Sequence, residues 1–547
     1  MEFNPILSQE HIRAMTEAGF WSDRLLTDYL DETVAKSPNK VAIVAQNSMT
    51  GRRTRLTYAE LAALVERLAN GLTELGIGPH DVVSFQLPNW WEFTALHLAC
   101  LRIGAATNPL MPIFRERELS FMLGLAESKI FIVPHSFRGF DHAAMARRLK
   151  SEIPTLQHVL VVGGEGDEAF ESLLSDKPAG TGVARARAGS RADANDVVQI
   201  LFTSGTTGEP KAVMHTSNTL LFEVLAYNER IGLTSEDVVI MSSPLAHQTG
   251  FLVGLMIPIV LGTKAVLQDI WQPEEAATLI AEEGATFTMS STPFLFDLVE
   301  VAERRPDAVT TFSKFIVGGA PIPRVLARRA ADVLGAAIFP AWGMTEIGVA
   351  TATKPGDGPE KVFETDGCAL SNFEIRVVDA DGREVPPDVE GRLLSRSPST
   401  FVGYLKRPEW YGCDADGWFD SGDLARMSSD GYIRITGRSK DIIIRGGENI
   451  PVAEIENLIY RHPAVLEAAV VGMPDERLGE RGCAFVTLRE GTNITLMELV
   501  VFLSEAQMAK QYMPERLEIL PELPKTPSGK IQKFRLREIA KVFGIAG

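Results

Sequence analysis

The first half of the chain alternates short β-branched runs with helix-length segments, and this alternation limits the fold more than any other feature. The runs are Val41–Val44, Asp81–Leu87, Lys129–Pro134, Val159–Val162, Asp196–Phe202, Asp237–Met241, Ala265–Leu267, Ala285–Met289 and Lys314–Val317. Strands spaced in this way predict parallel sheets covered by helices on both faces, because a parallel pair needs a long crossover. One helix is well marked. Thr57 and Glu60 form a capping box, and Leu61, Leu64, Val65, Leu68, Leu72 and Leu75 follow at helical spacing until Gly76 ends the run.

From about Phe373 the rhythm changes to short strands and tight turns. Glu374–Val378, the Asp381-Gly382 turn and Gly391–Ser395 read as hairpin elements, and Gly431–Thr436 as a further strand. Beyond them come a strand at Ile442–Ile444, a helix over Val452–Arg461, strands at Leu466–Val471 and Cys483–Leu488, and a helix over Thr495–Lys510. This is an α+β unit of ~100 residues, the size of a small domain. The expected class is α/β. A large domain over 1–439 holds parallel and mixed sheets covered by helices, with a small β-barrel-like subdomain, and a small α+β domain follows over 440–547.

The 547 residues allow ~3–4 structural units. A net charge of −17 opposes a nucleic-acid partner, since nothing supplies a basic stripe for phosphate neutralisation, although a local basic site for one small phosphate is compatible with it. Cys100, Cys368, Cys413 and Cys483 are far apart and make no CxxC pair, and the start lacks a basic-then-apolar leader, so a reduced, cytoplasmic setting is expected. The longest apolar run, Phe251–Gly262, falls short of the ~20 residues of a membrane span and reads as core. Residues 176–195 read as an exposed loop.

The strongest local signal is Asp196-Val-Val-Gln-Ile-Leu-Phe-Thr-Ser-Gly-Thr-Thr-Gly-Glu-Pro-Lys211. A buried strand feeds a loop carrying Thr203, Ser204, Thr206 and Thr207, with Gly205, Gly208 and Lys211. Glycines let backbone amides approach an anion, hydroxyls donate to phosphate oxygens, and lysine adds a mobile positive charge. The Walker spacing is not matched.

Ser-Gly-Thr-Thr-Gly-Glu-Pro-Lys211 resembles the signature of the AMP-forming adenylating enzymes: acyl-CoA synthetases, firefly luciferase and the adenylation domains of peptide synthetases. Trp342-Gly-Met-Thr-Glu346, Phe419-Asp-Ser-Gly-Asp423, Gly437-Arg-Ser-Lys-Asp441, Arg445-Gly-Gly-Glu-Asn449 and Pro524-Lys-Thr-Pro-Ser-Gly-Lys530 match in order and spacing. Among subfamilies the chain is most similar to bacterial medium-chain and cyclohexanecarboxylate-CoA ligases. The resemblance implies two half-reactions. A carboxylate attacks the α-phosphate of ATP to give acyl-AMP and diphosphate, and the thiol of coenzyme A then displaces AMP.

The same resemblance implies the residue roles. Lys530 reaches the carboxylate and the bridging α-phosphate oxygen. Thr345 donates to the α-phosphate, and Glu346 is the carboxylate associated with Mg2+. Asp423 accepts both ribose hydroxyls, with Arg438 on ribose or phosphate. Gly318, Gly319, Ala320 and Trp342-Gly343 frame adenine; the family usually has tyrosine at the Trp342 position, and tryptophan keeps the stacking face but loses the hydroxyl. His247 gates the route of the thiol. Lys440 is the hinge about which a mobile small domain rotates, presenting Gly446 and Gly447 to the pantetheine arm. Arg477 and Arg481 are candidates for CoA phosphates.

The acyl pocket implied by resemblance is lined by His247, Gln248, Thr249, Phe251, Ala320, Ala341, Gly348 and Val349. Small residues leave room, and none of these is an arginine or lysine that would pair a second carboxylate. A mid-sized apolar monocarboxylate is expected, cyclohexanecarboxylate or a medium-chain fatty acid. The alternatives are an aryl-CoA ligase and a stand-alone adenylation enzyme loading a carrier protein. A luciferase-like oxygenase and a binding protein without catalysis are further rivals. The resemblance leaves a homodimer open.

Overall fold

The computed structural model describes residues 1–174, 192–203, 210–319, 322–438, 443–445, 448–450, 452–475, 477–506, 508–526 and 529–543. The loop expected over 176–195 falls almost wholly outside these. So do Ser204, Gly205, Thr206, Thr207, Gly208, Ala320, Lys440, Gly446 and Gly447, together with the expected boundary at 439/440.

Each predicted strand of the first half is present, its ends within three residues of expectation. Among the described residues they assemble into two large sheets. One has nine strands, in the order Cys368–Ala369, Gly348–Ala352, Ala337–Met344, Lys314–Val317, Phe287–Ser290, Val238–Met241, Lys264–Leu267, Val41–Asn47, Arg52–Thr57. The other has six, in the order Lys211–Thr216, Val197–Thr203, Ala106–Pro109, Val82–Phe85, Ile130–Pro134, His158–Val162. Interior pairs are parallel, while Arg52–Thr57, Gly348–Ala352, Cys368–Ala369 and Lys211–Thr216 add antiparallel edges. Arg52–Thr57 is largely polar, as an edge strand open to solvent should be.

The strands are apolar at consecutive positions because both faces are buried. Val83, Phe85, Ile130 and Ile132 enter one hydrophobic cluster, while Val82, Phe131 and Val133 enter a second. Val239 and Met241 share the first cluster with them, whereas Ile240 points into a third. The first cluster therefore lies between the two sheets. Its filling comes from the helices Tyr58–Glu74, Trp91–Ile103 and Ser217–Ile231. Trp91–Ile103 is buried nearly all round, as a helix held between sheets must be. The Thr57–Glu60 capping box closes as expected, with Glu60 N–H donating to Thr57 Oγ1 at 3.2 Å.

The turn-rich segment forms an antiparallel four-stranded sheet of Glu374–Val378, Gly391–Arg396, Phe419–Met427 and Ile433–Arg438. The small C-terminal domain is a sheet with helices on both faces. Val452–Ile459 and Leu496–Glu505 pack on one side through Ile455, Ile459, Leu499 and Leu503; Lys533–Phe543 packs on the other through Leu536 and Ala540. The helix expected to run to Lys510 stops at Glu505, and Met508 folds back with its N–H on Leu503 C=O. No helix among the described residues is long and apolar enough to cross a membrane. Cys100, Cys368 and Cys483 are buried, Cys413 is half-buried, and none forms a disulfide.

Candidate active site

The carboxyl ends of the parallel strands in the nine-stranded sheet open onto one cleft of about 1610 Å3, closed from the far side by the C-terminal domain. That end is where an open α/β sheet holds ligands. Val317 leads to Gly318-Gly319, Met241 to the segment ending in His247, and Met344 to Thr345-Glu346; all but Val317 and Met241 line the cleft. Thr203 and Lys211 face each other at the mouth of the antiparallel hairpin that carries the phosphate-loop sequence. A Cβ at Gly318 would stand 2.7 Å from the Ala341 carbonyl oxygen, so only glycine lets these two strand ends close up.

Glu346 is 6% exposed, and its Oε1 accepts the Tyr404 hydroxyl at 2.7 Å. Burial raises its pKa, opposed by the Tyr404 hydrogen bond and by the charges of Lys211 and Arg438. The Lys211 ammonium stands 4.6 Å from the centre of the Tyr404 ring, a cation–π distance. Tyr404 arrives there because Val402–Leu405 runs beside Lys211–Thr216, with Val402 N–H on Met214 C=O at 3.0 Å and Leu405 N–H on Ala212 C=O at 2.9 Å. Sequence reading missed Tyr404, and only its place in Phe401-Val-Gly-Tyr404 among turn residues hinted at a buried ring.

The Thr345-Glu346 turn is pinned from behind by His215, also unforeseen. Its Nε2 lies 2.7 Å from Thr345 C=O, which can only accept, so that nitrogen carries the proton. Burial lowers this histidine to about 4, and it is neutral at pH 7.

Asp423 and Arg438 are cross-strand partners, and Arg438 Nε donates to Asp423 Oδ1 at 3.0 Å. Trp342 Nε1 donates to the other oxygen, Oδ2, at 2.8 Å. Tryptophan has therefore not lost the polar function of its ring: the indole N–H supplies a donor. A carboxylate offers about four acceptor sites, so two remain for vicinal hydroxyls.

Lys530 comes from the C-terminal domain and lines the same cleft. Its loop is closed by Thr526 N–H on Lys530 C=O at 2.7 Å and Lys530 N–H on Thr526 Oγ1 at 3.0 Å. Gly529 has φ +80°, and a Cβ there would stand 2.9 Å from Ser291 Oγ, so the loop sits directly on the large domain. His247 lies near enough for burial, helped by the Lys530 charge, to lower it to about 4. Its Nδ1 accepts Thr249 N–H at 3.4 Å. Arg481 is engaged by Asp475 at 2.5 Å, and neither Arg477 nor Arg481 lines the cleft.

Two acyl-pocket expectations need correction. Phe251 is fully buried in the core, with its ring 4.8 Å from that of His97, and Leu252 and Val253 line the cleft in its place. The reason is the wide π-helical turn Phe251–Met256, which rotates side chains out of α-helical phase. Gly348, expected to leave room, does not: a Cβ there would overlap the carboxyl of Glu223, which fills that space. Glu223 was also missed, because it sits among apolar residues of Ser217–Ile231 and reads as an exposed helix position. Gln248, Thr249, Ala341 and Val349 line the cleft as expected.

Comparison with known proteins agrees with this geometry. The AMP-binding enzyme family matches residues 30–405, and the AMP-binding enzyme C-terminal domain matches residues 454–530. The chain belongs to the AMP-binding enzyme family. It is an adenylate-forming acid ligase of the acyl-CoA synthetase type, and it uses ATP. It is 38% identical over 541 residues to the medium-chain fatty-acid–CoA ligase of Escherichia coli K12, covering 98% of this chain and 94% of that one. It is 37% identical to a salicylyl-CoA synthase / salicylate adenylyltransferase of a Streptomyces species, covering 96% and 95%. Among solved structures, ATP-bound MatB of Rhodopseudomonas palustris superposes with a TM-score of 0.82 at 28% identity, covering 95% and 100%.

Proposed function

We propose that this AMP-binding family member is an acid–CoA ligase for a mid-sized monocarboxylate with a largely apolar tail, cyclohexanecarboxylate or a medium-chain fatty acid. The observation that carries this reading is the meeting in one cleft of Lys530 from the small domain with Lys211, Glu346 and Asp423 from the large one. In the first step the substrate carboxylate oxygen bonds to the α-phosphorus and diphosphate leaves. In the second, the CoA thiolate bonds to the acyl carbon and AMP leaves with the electrons of the acyl–oxygen bond.

Each side chain then has a physical task. Lys530 offsets the charge of two converging anions, and Thr345 donates to the α-phosphate. Lys211 and the loop Ser204–Gly208 hold the β- and γ-phosphates. Asp423 accepts the ribose hydroxyls, with Arg438 and Trp342 fixing its carboxylate, and Trp342 lies against adenine beside Gly318. Glu346 is the hard oxygen that would hold Mg2+. One carboxylate plus substrate phosphates is an ordinary Mg2+ site, and the described residues contain no cluster of three or more metal-ligating side chains. When bound, the ion neutralises phosphate charge. Neutral His247 stands where the thiol enters. Rotation about Lys440 withdraws Lys530 and brings Gly446-Gly447 to the pantetheine arm. The unpaired cysteines suit a reducing, cytoplasmic setting.

The similarity to the medium-chain ligase supports the aliphatic acid, and that to the salicylate enzyme keeps an aryl acid as the second reading. The test is diphosphate and AMP release from ATP with acetate, octanoate, benzoate, cyclohexanecarboxylate and palmitate, with and without CoA. Turnover that needs CoA and favours octanoate or cyclohexanecarboxylate is expected. Acid-dependent diphosphate release that CoA does not accelerate would move the acceptor to a carrier protein, and preference for benzoate would favour the aryl reading.

A further inference from the structure

The acyl side of the cleft is not purely apolar. Glu223 is 2% exposed and Gln248 is 4% exposed, and both line the cavity among Val224, Tyr227, Leu252 and Val253. Glu223 Oε1 accepts Val349 N–H at 2.8 Å. Its Oε2 meets no hydrogen-bond partner of normal geometry, and neither does Oε1 or Nε2 of Gln248. The Gln248 side chain makes a loose hydrogen-bonding approach to Glu223 that opposes the upward pKa shift, so the two polar ends share the same space. A buried polar atom without a well-made partner costs about 1–3 kcal/mol, and a Glu223–Gln248 pair that meets only loosely inside a ligand cavity leaves donor and acceptor capacity for a ligand atom.

The geometry points to a substrate acid whose tail carries one neutral oxygen substituent, hydroxyl or oxo, received by Glu223 and Gln248. This deepens the acid-ligase reading and rests on it. Burial raises Glu223 to about 8, so at neutral pH its Oε2 bears a proton that it can donate, while Oε1 is held by Val349. Gln248 offers an amide N–H and a carbonyl oxygen. Together they complement a group that both accepts and donates, or that only accepts. The size of the effect follows from recognition: a site built to bond a substrate hydroxyl rejects the analogue lacking it by up to ~10⁴-fold, whereas a methylene in an apolar pocket is worth only ~10–200-fold.

The experiment compares kcat/KM for diphosphate release, in the full chain with Mg-ATP and CoA, between parent acids and their oxygenated partners. The pairs are cyclohexanecarboxylate against its 3-hydroxy, 4-hydroxy and 4-oxo derivatives, and octanoate against 5-hydroxy- and 8-hydroxyoctanoate. At least one oxygenated acid should exceed its parent by about 100-fold or more. Glu223→Leu should bring that ratio to one or below, and Gln248→Leu, on a separate element, should lower it in the same direction should the first variant fail to fold. A wild-type enzyme that prefers the parent acids throughout, or a ratio unmoved in both variants, overturns the inference and leaves the acid-ligase reading intact. Preference for 4-aminocyclohexanecarboxylate over the hydroxy acid would overturn the neutral-oxygen assignment in favour of an ammonium held by ionised Glu223. Silence with every acid, plain or oxygenated, would overturn both readings.

Discussion

Trp342 Nε1 donates to Asp423 Oδ2 at 2.8 Å while Arg438 Nε donates to the other carboxylate oxygen at 3.0 Å, so the carboxylate proposed to take the ribose is fixed from two sides. Preorganisation of this kind lowers the ordering cost of binding. Trp342→Phe keeps an aromatic face but removes the donor. A hydrogen bond to a charged group is worth about 1.5–3 kcal/mol, so the KM for ATP should rise roughly tenfold or more with a smaller change in kcat. Steady-state kinetics with ATP as the varied substrate decides it; an unchanged KM would show that Asp423 is held well enough by Arg438 alone.

Tyr404 should set the acid limit of activity. Its hydroxyl stabilises the ionised form of Glu346, whose pKa burial raises. Removing a hydrogen bond to the charged form raises a carboxyl pKa further. On the proposed reading Glu346 holds Mg2+ in its ionised form, so activity should fall as pH drops through its pKa. In Tyr404→Phe the acid limb of the kcat/KM profile should move to higher pH, and the Mg2+ concentration for half-maximal rate should increase. An acid limb at the wild-type position would mean that Glu346 does not govern it.

Stability should also depend on pH through His215. Its folded pKa of about 4 lies below the ordinary 6.5 of an unfolded histidine. Between those values the unfolded chain binds the extra proton, so the neutral histidine contributes stability in full above pH 6.5 and loses it as pH falls toward 4. For a side chain with no exposure this amounts to on the order of 3 kcal/mol. His97 and His247, lowered to about 3 and about 4, act in the same direction. Urea midpoints between pH 7 and 4.5 should fall, and fall less steeply in His215→Gln. Parallel curves for the two proteins would show that His215 does not titrate in this range.

Most parallel strands were legible because burial on both faces writes each as an apolar run; Ala106–Pro109, with Thr107 and Asn108 buried at its centre, and Ala337–Met344 were not read. The antiparallel edges were harder: Lys211–Thr216 looked like the tail of a loop, and Arg52–Thr57 is too polar to read as a strand. The nucleotide side of the cleft was readable from contiguous motifs, which place Thr345-Glu346 on a turn, Asp423 on the strand Phe419–Met427 and Lys530 on a loop of the small domain. Tyr404, His215 and Glu223 were not, because what makes each of them matter is a partner more than 50 residues away in sequence: Glu346, Thr345 and Val349. Phe251 misled for a local reason: its place in the pocket was carried over by resemblance, and the π-helical turn Phe251–Met256 turns its side chain into the core.

Gly529 and Lys530 separate docking from chemistry. On the proposed reading Lys530→Ala removes the positive charge that offsets the reacting anions, and it should slow acyl-adenylate formation by about 10³-fold or more, the scale of losing one preorganised electrostatic contact. ATP binding should persist, because Lys211, Glu346 and Asp423 are untouched. Gly529→Ala instead adds a Cβ 2.9 Å from Ser291 Oγ and 3.2 Å from Pro293 Cγ, at a φ of +80° that costs a non-glycine residue about 1–2 kcal/mol. It leaves the lysine in place but opposes the docked arrangement. Adenylation should slow by roughly tenfold, while thiolysis of preformed acyl-AMP by CoA, which on the proposed reading does not need Lys530 in the cleft, should proceed at the wild-type rate. Single-turnover assays of each half-reaction distinguish the two variants. Equal losses in both half-reactions for Gly529→Ala would mean that the loop contact with Ser291 and Pro293 serves general stability of the domain pair, with no selective role in the first step.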